Sequence, residues 1–211
     1  EMCGNGLRCL IAFAIDNDIT KKTTLTIETA AGILSARIIN TSNNISTINI
    51  DMGEANTKQN LPEKDFDIEN TNSINISIEL NDRPYIFTPV SMGNPHAVIF
   101  VENLSSLPVD IIGPISENHP FFPNRVNTEF VEVINESELH MRVWERGVGE
   151  TNACGTGACA SVVAATLTKQ CNGKATVKLN GGTLNIEFDQ ETNQVKMEGP
   201  AEFLFKSEIT I

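Results

Sequence analysis

The sequence predicts an α+β fold built as two related halves, each a set of short strands around one buried helix. Three observations carry this. The tetrapeptide Cys3-Gly4-Asn5-Gly6 is matched by Cys154-Gly155-Thr156-Gly157. Each loop runs into an uncharged, mostly apolar or small stretch, Cys9 to Ile15 and Ala158 to Thr168. Each stretch is then followed by alternating segments punctuated by glycine at nearly the same distance.

The helices come first. Both stretches are apolar or small all the way round, a pattern that predicts burial on every side. A buried strand is the competing assignment, but Ala158 to Ala165 is too rich in alanine for one. The strands follow. Leu25 to Thr29 turns at Ala31-Gly32 into Ile33 to Ile39, and Thr176 to Leu179 turns at Gly181-Gly182 into Leu184 to Phe188. The cysteine-to-glycine spacing is 29 residues in the first copy and 28 in the second. A third strand closes each copy, Thr47 to Met52 and Gln194 to Glu198.

The second copy also has strands ahead of its cysteine: Ile74 to Leu80, Tyr85 to Pro89, Ala97 to Val101, Glu129 to Ile134 and His140 to Glu145. Only Glu1 and Met2 precede Cys3, so the first half is expected to be incomplete, an N-terminally truncated copy whose helix lacks part of its covering sheet. The polar segment from Glu54 to Ser73, with Pro62 and several Asn, is expected to be a surface connection. The organisation expected is residues 1–70 as the remainder of an N-terminal half-domain and 71–211 as the C-terminal half-domain.

Composition narrows the function classes. The 211 residues carry a net charge of −12, which disfavours nucleic acid and anionic membrane as partners. No apolar run approaches the roughly 20 residues of a membrane span, and no signal peptide opens the chain. Five cysteines, an odd number, do not suggest a secreted disulfide framework, so a cytoplasmic protein with reduced thiols is expected.

Doubled cysteine loops suit one chemistry. Inverting an α-carbon removes a weakly acidic proton from one face and returns one to the other, so two acid/base groups must face each other. A thiolate serves when its pKa is tuned. A cysteine at a helix start gains from the dipole and the free N–H groups. The glycines allow close backbone approach and positive φ, and the same amides can hold a carboxylate and the charge developing on it. The competing assignment, a buried cysteine packed as a small hydrophobe, is preferred for Cys9, Cys159 and Cys171, which lack the glycine context. Neither cluster has the C-x₂-C spacing of zinc knuckles or redox dithiols.

Several stretches match a known family. Met2 to Cys9 resembles the first active-site signature of the diaminopimelate epimerase family, and Glu145 to Ala160 resembles the second. Gly93-Asn94-Pro95-His96-Ala97-Val98 and Arg125-Val126-Asn127 are similar to further family motifs, and the resemblance runs the length of the chain. It implies two pseudo-symmetric half-domains, each a mixed sheet or barrel wrapped around a central helix. It implies an isomerase of lysine and peptidoglycan-precursor biosynthesis that interconverts LL- and meso-diaminopimelate without pyridoxal phosphate or any other cofactor. It implies Cys3 and Cys154 as the two bases. The amides of Gly4, Asn5, Gly155 and Thr156 would grip the carboxylate at the reacting centre. Asn94, Asn127, Glu145 and Arg146 would contact the substrate's amino and carboxylate groups, and His96 and Glu145 would help set thiol protonation.

Each side chain has a plainer role open to it. Arg146 fits a surface ion pair with Glu145 or Glu150, Asn94 a turn, Asn127 a strand start and His96 a hydrogen-bonded structural histidine; His119 and His140 carry no functional assignment. Two other functions stay open: a proline-racemase-like enzyme, which would usually show histidine at Asn5 and lack Glu-Arg-Gly, and an inactive fragment that only binds. A homodimer is compatible with the sequence.

Overall fold

The computed structural model describes residues 4–29, 32–57, 61–63, 65–66, 74–205 and 207–208. Helix α1 (Gly4–Asp16) leads into a meander of β1 (Thr24–Thr29), β2 (Gly32–Ser42) and β3 (Ile45–Glu54). The middle of the chain forms β4 (Asn56–Thr57), β5 (Ile76–Leu80), β6 (Arg83–Ser91), β7 (Pro95–Phe100), α2 (Val109–Glu117), β8 (Asn127–Asn135), β9 (Glu138–Glu145) and β10 (Gly149–Thr151). Helix α3 (Gly155–Leu167) then leads into a second meander of β11 (Lys174–Leu179), β12 (Gly182–Phe188) and β13 (Gln194–Glu202).

The two meanders repeat one another down to the hairpin register. Thr29 pairs with Gly32 at the end of β1 and Leu179 pairs with Gly182 at the end of β11. Gly32 and Gly182 take φ of 118° and 139°, in a region that strongly favours glycine. β3 and β13 pair antiparallel from Ile45↔Glu202 to Gln194↔Glu54, so the third strands of the two copies meet at a shared seam. The resulting path is β1-β2-β3-β13-β12-β11-β9-β8-β7-β6-β4, with β10 added to β9 and β5 to β6. The β7–β8 and β9–β11 pairs are parallel and the rest antiparallel, so the sheet is mixed. Among the described residues its two end strands do not pair, so it stays open rather than closing into a barrel.

α3 is buried at every position from Gly155 to Thr166. Its side chains are Gly, Ala, Ser, Thr, Cys and Val, small enough for strands to approach from all sides. Burial all round does not hold for α1. Leu7, Arg8, Ile11 and Ala12 are buried, but Leu10 and Phe13 are 53% and 54% exposed, and Cys9, expected to be a buried cysteine, is exposed on the same open face. α1 packs on β3 and β13 with one face only.

Two further expectations change. Of the supposed surface connection, Asn56 and Thr57 pair with Ser91 and Val90, and Leu61, Asp65 and Phe66 are buried; the rest of it, except Glu54, Ala55, Pro62 and Glu63, lies outside the described residues. α2 was not foreseen, since Pro108, Gly113 and Pro114 interrupt its pattern. It packs against β8 and β9, where Ile112 joins a second core with Phe87, Phe122 and Phe130. The strands of this region are thus covered by α3 on one face and α2 on the other, which buries both faces of β8.

Candidate active site

A cleft of about 360 Å³ lies where the N-termini of α1 and α3 converge. It is lined by Gly4, Asn5, Asn94, Asn127, Glu145, Arg146, Cys154, Gly155 and Thr156, with Val148 and Ala153. Eight substrate-binding candidates from the sequence therefore stand around one opening together with Cys154. Cys3 lies outside the described residues. His96 is not on the wall: it is fully buried behind Asn94.

The helix starts approach closely because of residues between them. A Cβ on Gly4 would meet the Met197 methyl at 2.5 Å, and one on Gly155 would meet Met197 Sδ at 3.2 Å and Asn5 Oδ1 at 3.5 Å. A Cβ on Gly157 would lie 2.6 Å from Glu129 Oε1. Gly4, Gly155 and Gly157 are all helical, so these glycines make room for Met197 and Glu129 rather than supplying positive φ. Arg8 ties this region together: Nη2 donates to Asn5 Oδ1 at 2.9 Å and Nε to Pro200 O at 3.1 Å.

Cys154 is the N-cap of α3, with extended backbone at φ −131° and ψ 112°. Its Sγ accepts from the Gly157 N–H at 3.4 Å and lies 3.5 Å from Thr156 Oγ1. Burial pushes the thiol up to about 12, and the negative charges of Glu129 and Glu145 add to this. The Thr156 hydroxyl and the Gly157 amide offset only part of it. Cys154 therefore rests as a thiol at neutral pH. Cys159, deeper in α3, is pushed up by burial as well.

The polar wall is held from behind. Asn127 Nδ2 donates to Pro95 O and its Oδ1 accepts from the Arg146 N–H, both at 2.9 Å. Asn127 thus begins a strand and also positions Arg146. Glu145 Oε1 accepts from the Thr151 hydroxyl across the β9–β10 hairpin. Arg146 Nη1 donates to Asn124 O at 3.0 Å, while the ion pair to Glu150 is made by Arg142. The hairpin turn is anchored by Glu117 of α2. Its carboxylate accepts from the Gly147 N–H at 2.8 Å, the Trp144 Nε1–H at 2.7 Å and Arg125 Nη1 at 3.0 Å. His96 sits between Glu129 Oε1, 2.7 Å from Nδ1, and Asn94 Oδ1, 3.1 Å from Nε2.

Sequence reasoning missed Met197, Glu117 and Glu129. The first two carry no local signal. Glu129 stood in an alternating stretch where a charged residue suggests a solvated face.

The architecture is shared with solved racemases and epimerases. A probable proline racemase from Agrobacterium radiobacter superposes with a TM-score of 0.71 at 12% identity, covering 100% of this chain and 68% of that one. A hydroxyproline epimerase from Agrobacterium vitis gives 0.68 at 13%, covering 96% and 66%. These likenesses define the fold. The diaminopimelate epimerase family model matches residues 1–58 and 88–204. The diaminopimelate epimerases of Agathobacter rectalis and Methanococcus maripaludis (strain C6) are 44% and 46% identical to the chain, each over all of it and 76% of the relative. The chain belongs to the diaminopimelate epimerase family and is an amino-acid epimerase, an isomerase independent of pyridoxal phosphate. The proline-racemase-like alternative has only the shared fold behind it.

Proposed function

We propose that the chain interconverts LL- and meso-diaminopimelate by proton transfer at the α-carbon between Cys3 and Cys154, within lysine and peptidoglycan-precursor biosynthesis in the cytoplasm. The observation that carries this is the cleft itself: two helix N-termini converge on it, with Cys154 Sγ in its wall.

In this reading the first-turn amides of Gly4, Asn5, Gly155 and Thr156 receive the carboxylate of the reacting centre. Helix N-termini favour that anion, and more so the extra charge that develops when the α-proton leaves. Glu145 accepts from the substrate ammonium, and Arg146 pairs with a carboxylate. Cys154, a thiol at rest, is the proton donor of one direction, and Cys3 as thiolate is the base. The α C–H electron pair passes into the carboxylate as Cys3 takes the proton. It returns to carbon as the Cys154 S–H bond breaks on the opposite face. The reverse direction exchanges the roles. The substrate is a free amino acid, so neither nucleic acid nor membrane is a partner; a homodimer fits the same reading.

Incubation with LL-diaminopimelate and with proline in deuterated water tests this. Deuterium is expected at the α-position of diaminopimelate, with the meso isomer accumulating, and Cys3→Ala and Cys154→Ala are each expected to abolish interconversion. Exchange in proline alone, or activity surviving either cysteine substitution, would refute it.

A further inference from the structure

A fully buried carboxylate stands behind the cleft with one oxygen unaccounted for. Glu129 and His96 are both 0% exposed, on the adjacent parallel strands β8 and β7. Glu129 Oε1 contacts His96 Nδ1 at 2.7 Å, while Oε2 is buried and has no hydrogen-bond partner among the described residues. A bare carboxylate in that position is costly, having lost water on one oxygen without replacement.

The orientation of the Asn94 amide assigns the hydrogens along the rest of the chain of contacts. Asn94 Nδ2 donates to Thr156 Oγ1 at 3.3 Å, which turns Asn94 Oδ1 toward His96 Nε2 at 3.1 Å. An amide oxygen only accepts, so His96 Nε2 carries a hydrogen. A carboxylate oxygen faces Nδ1, so a second hydrogen lies between Nδ1 and Oε1. The His96–Glu129 pair thus holds one proton more than a neutral ring beside a carboxylate and is neutral as a unit. Thr156 Oγ1 accepts from Asn94 and lies 3.5 Å from Cys154 Sγ, so its own hydrogen is available to a thiolate there. From His96 Nε2 onward, each link is able to donate toward the sulfur.

We propose that Glu129 is a positioning residue for the epimerisation. It keeps a proton on His96 and so polarises the His96–Asn94–Thr156 chain toward Cys154, supporting the thiolate in the direction where Cys154 is the base. This rests on the reading of Cys154 as an acid/base group. Among the described residues, the other ionisable groups around that sulfur are Glu145 from β9 and Cys159 farther along α3, with Arg8 of α1 beyond Cys159. Glu145 opposes a thiolate. The Glu129 carboxylate opposes it too, and the proton it keeps on His96 offsets that second charge.

Glu129→Gln keeps the shape and cannot hold the proton on His96. Alkylation of Cys154 by iodoacetamide at mildly alkaline pH, quantified by mass spectrometry against exposed Cys9 in the same molecule, is expected to slow about tenfold, the effect of one unit of upward pKa shift. In turnover, kcat is expected to fall similarly with little change in KM. An unchanged alkylation ratio would make Glu129 merely structural. A faster one would mean that it acts as a bare negative charge. Either overturns the proposal. Should the variant not fold, ¹⁵N NMR of the unsubstituted protein decides: His96 Nε2 is expected in the protonated range, and an unprotonated Nε2 overturns the proposal. Alkylation and NMR need no turnover, so their failure is distinct from failure of the two-cysteine mechanism.

Discussion

Gly157→Ala places a methyl group 2.6 Å from Glu129 Oε1 and 3.2 Å from its Cγ and Cδ. The carboxylate cannot swing into water, because Glu129 is completely buried and its Oε1 is held to His96. Overpacking of this kind costs about 1–3 kcal/mol. Loosening a hydrogen bond that involves an ionised group adds about 1.5–3 kcal/mol. The helix preference for alanine returns about 1 kcal/mol. The net loss is about 1.5–5 kcal/mol, a fall in Tm of roughly 3–20 °C for a chain of this size. A double-mutant cycle with Glu129→Ala, read by thermal and urea unfolding, isolates the contact. In the Glu129→Ala background the methyl has space, so Gly157→Ala should be neutral or stabilising by up to about 1 kcal/mol. Equal cost in both backgrounds, or no cost in the unsubstituted protein, would refute the reasoning. Gly155→Ala is the milder comparison, because the Met197 thioether that it meets is flexible.

Three other outcomes follow from the same geometry. Cys154 is raised from 9.0 to about 12 in the folded state. Its contribution to stability is therefore intact below the ordinary thiol value and lost as pH rises toward the folded one, at about 1.4 kcal/mol per pH unit; Cys154→Ser should flatten this alkaline decline in urea midpoints, and an unchanged slope would count against it. Exposed Cys9 should be alkylated by iodoacetamide near neutral pH well before buried Cys154 and Cys159, and mass spectrometry showing equal rates would contradict the burial described. Glu117→Ala removes the acceptor of three donors around the Glu145–Gly149 turn and should cost about 2–4 kcal/mol. Emission of Trp144, the single tryptophan, should shift to longer wavelength and kcat/KM should fall; unchanged emission and activity would show that the turn needs no anchor.

Much of the site was legible in the residues because its parts are local. The Cys-Gly-x-Gly loops, the uncharged helix after each and the turn glycines Gly32 and Gly182 are encoded within a few positions of where they act. The cleft candidates were legible because they cluster in a few short stretches: Gly4-Asn5, Asn94, Asn127, and Glu145-Arg146 with Gly155-Thr156. The burial of Glu129 was not legible. Residues Asn127 to Val131 are buried on both alternating faces, and that depends on α2 and α3 covering opposite sides of β8. α2 itself was hidden by its prolines and glycine, and Gly113 is tolerated there because its bare backbone lies against the Trp144 ring.

The sequence by itself determined the duplicated α+β plan, the family and the kind of residue at the cleft, because periodicity, turn chemistry and helix-start loops act over short spans. Tertiary structure decided the environment of those residues. It set how far Cys154 is desolvated, why Gly4, Gly155 and Gly157 must be bare, and which buried carboxylate meets His96 from a strand 33 residues away. Such contacts join residues distant in the chain, and their strength depends on exclusion of water from both sides of the sheet. That exclusion arises only when the whole structure is assembled.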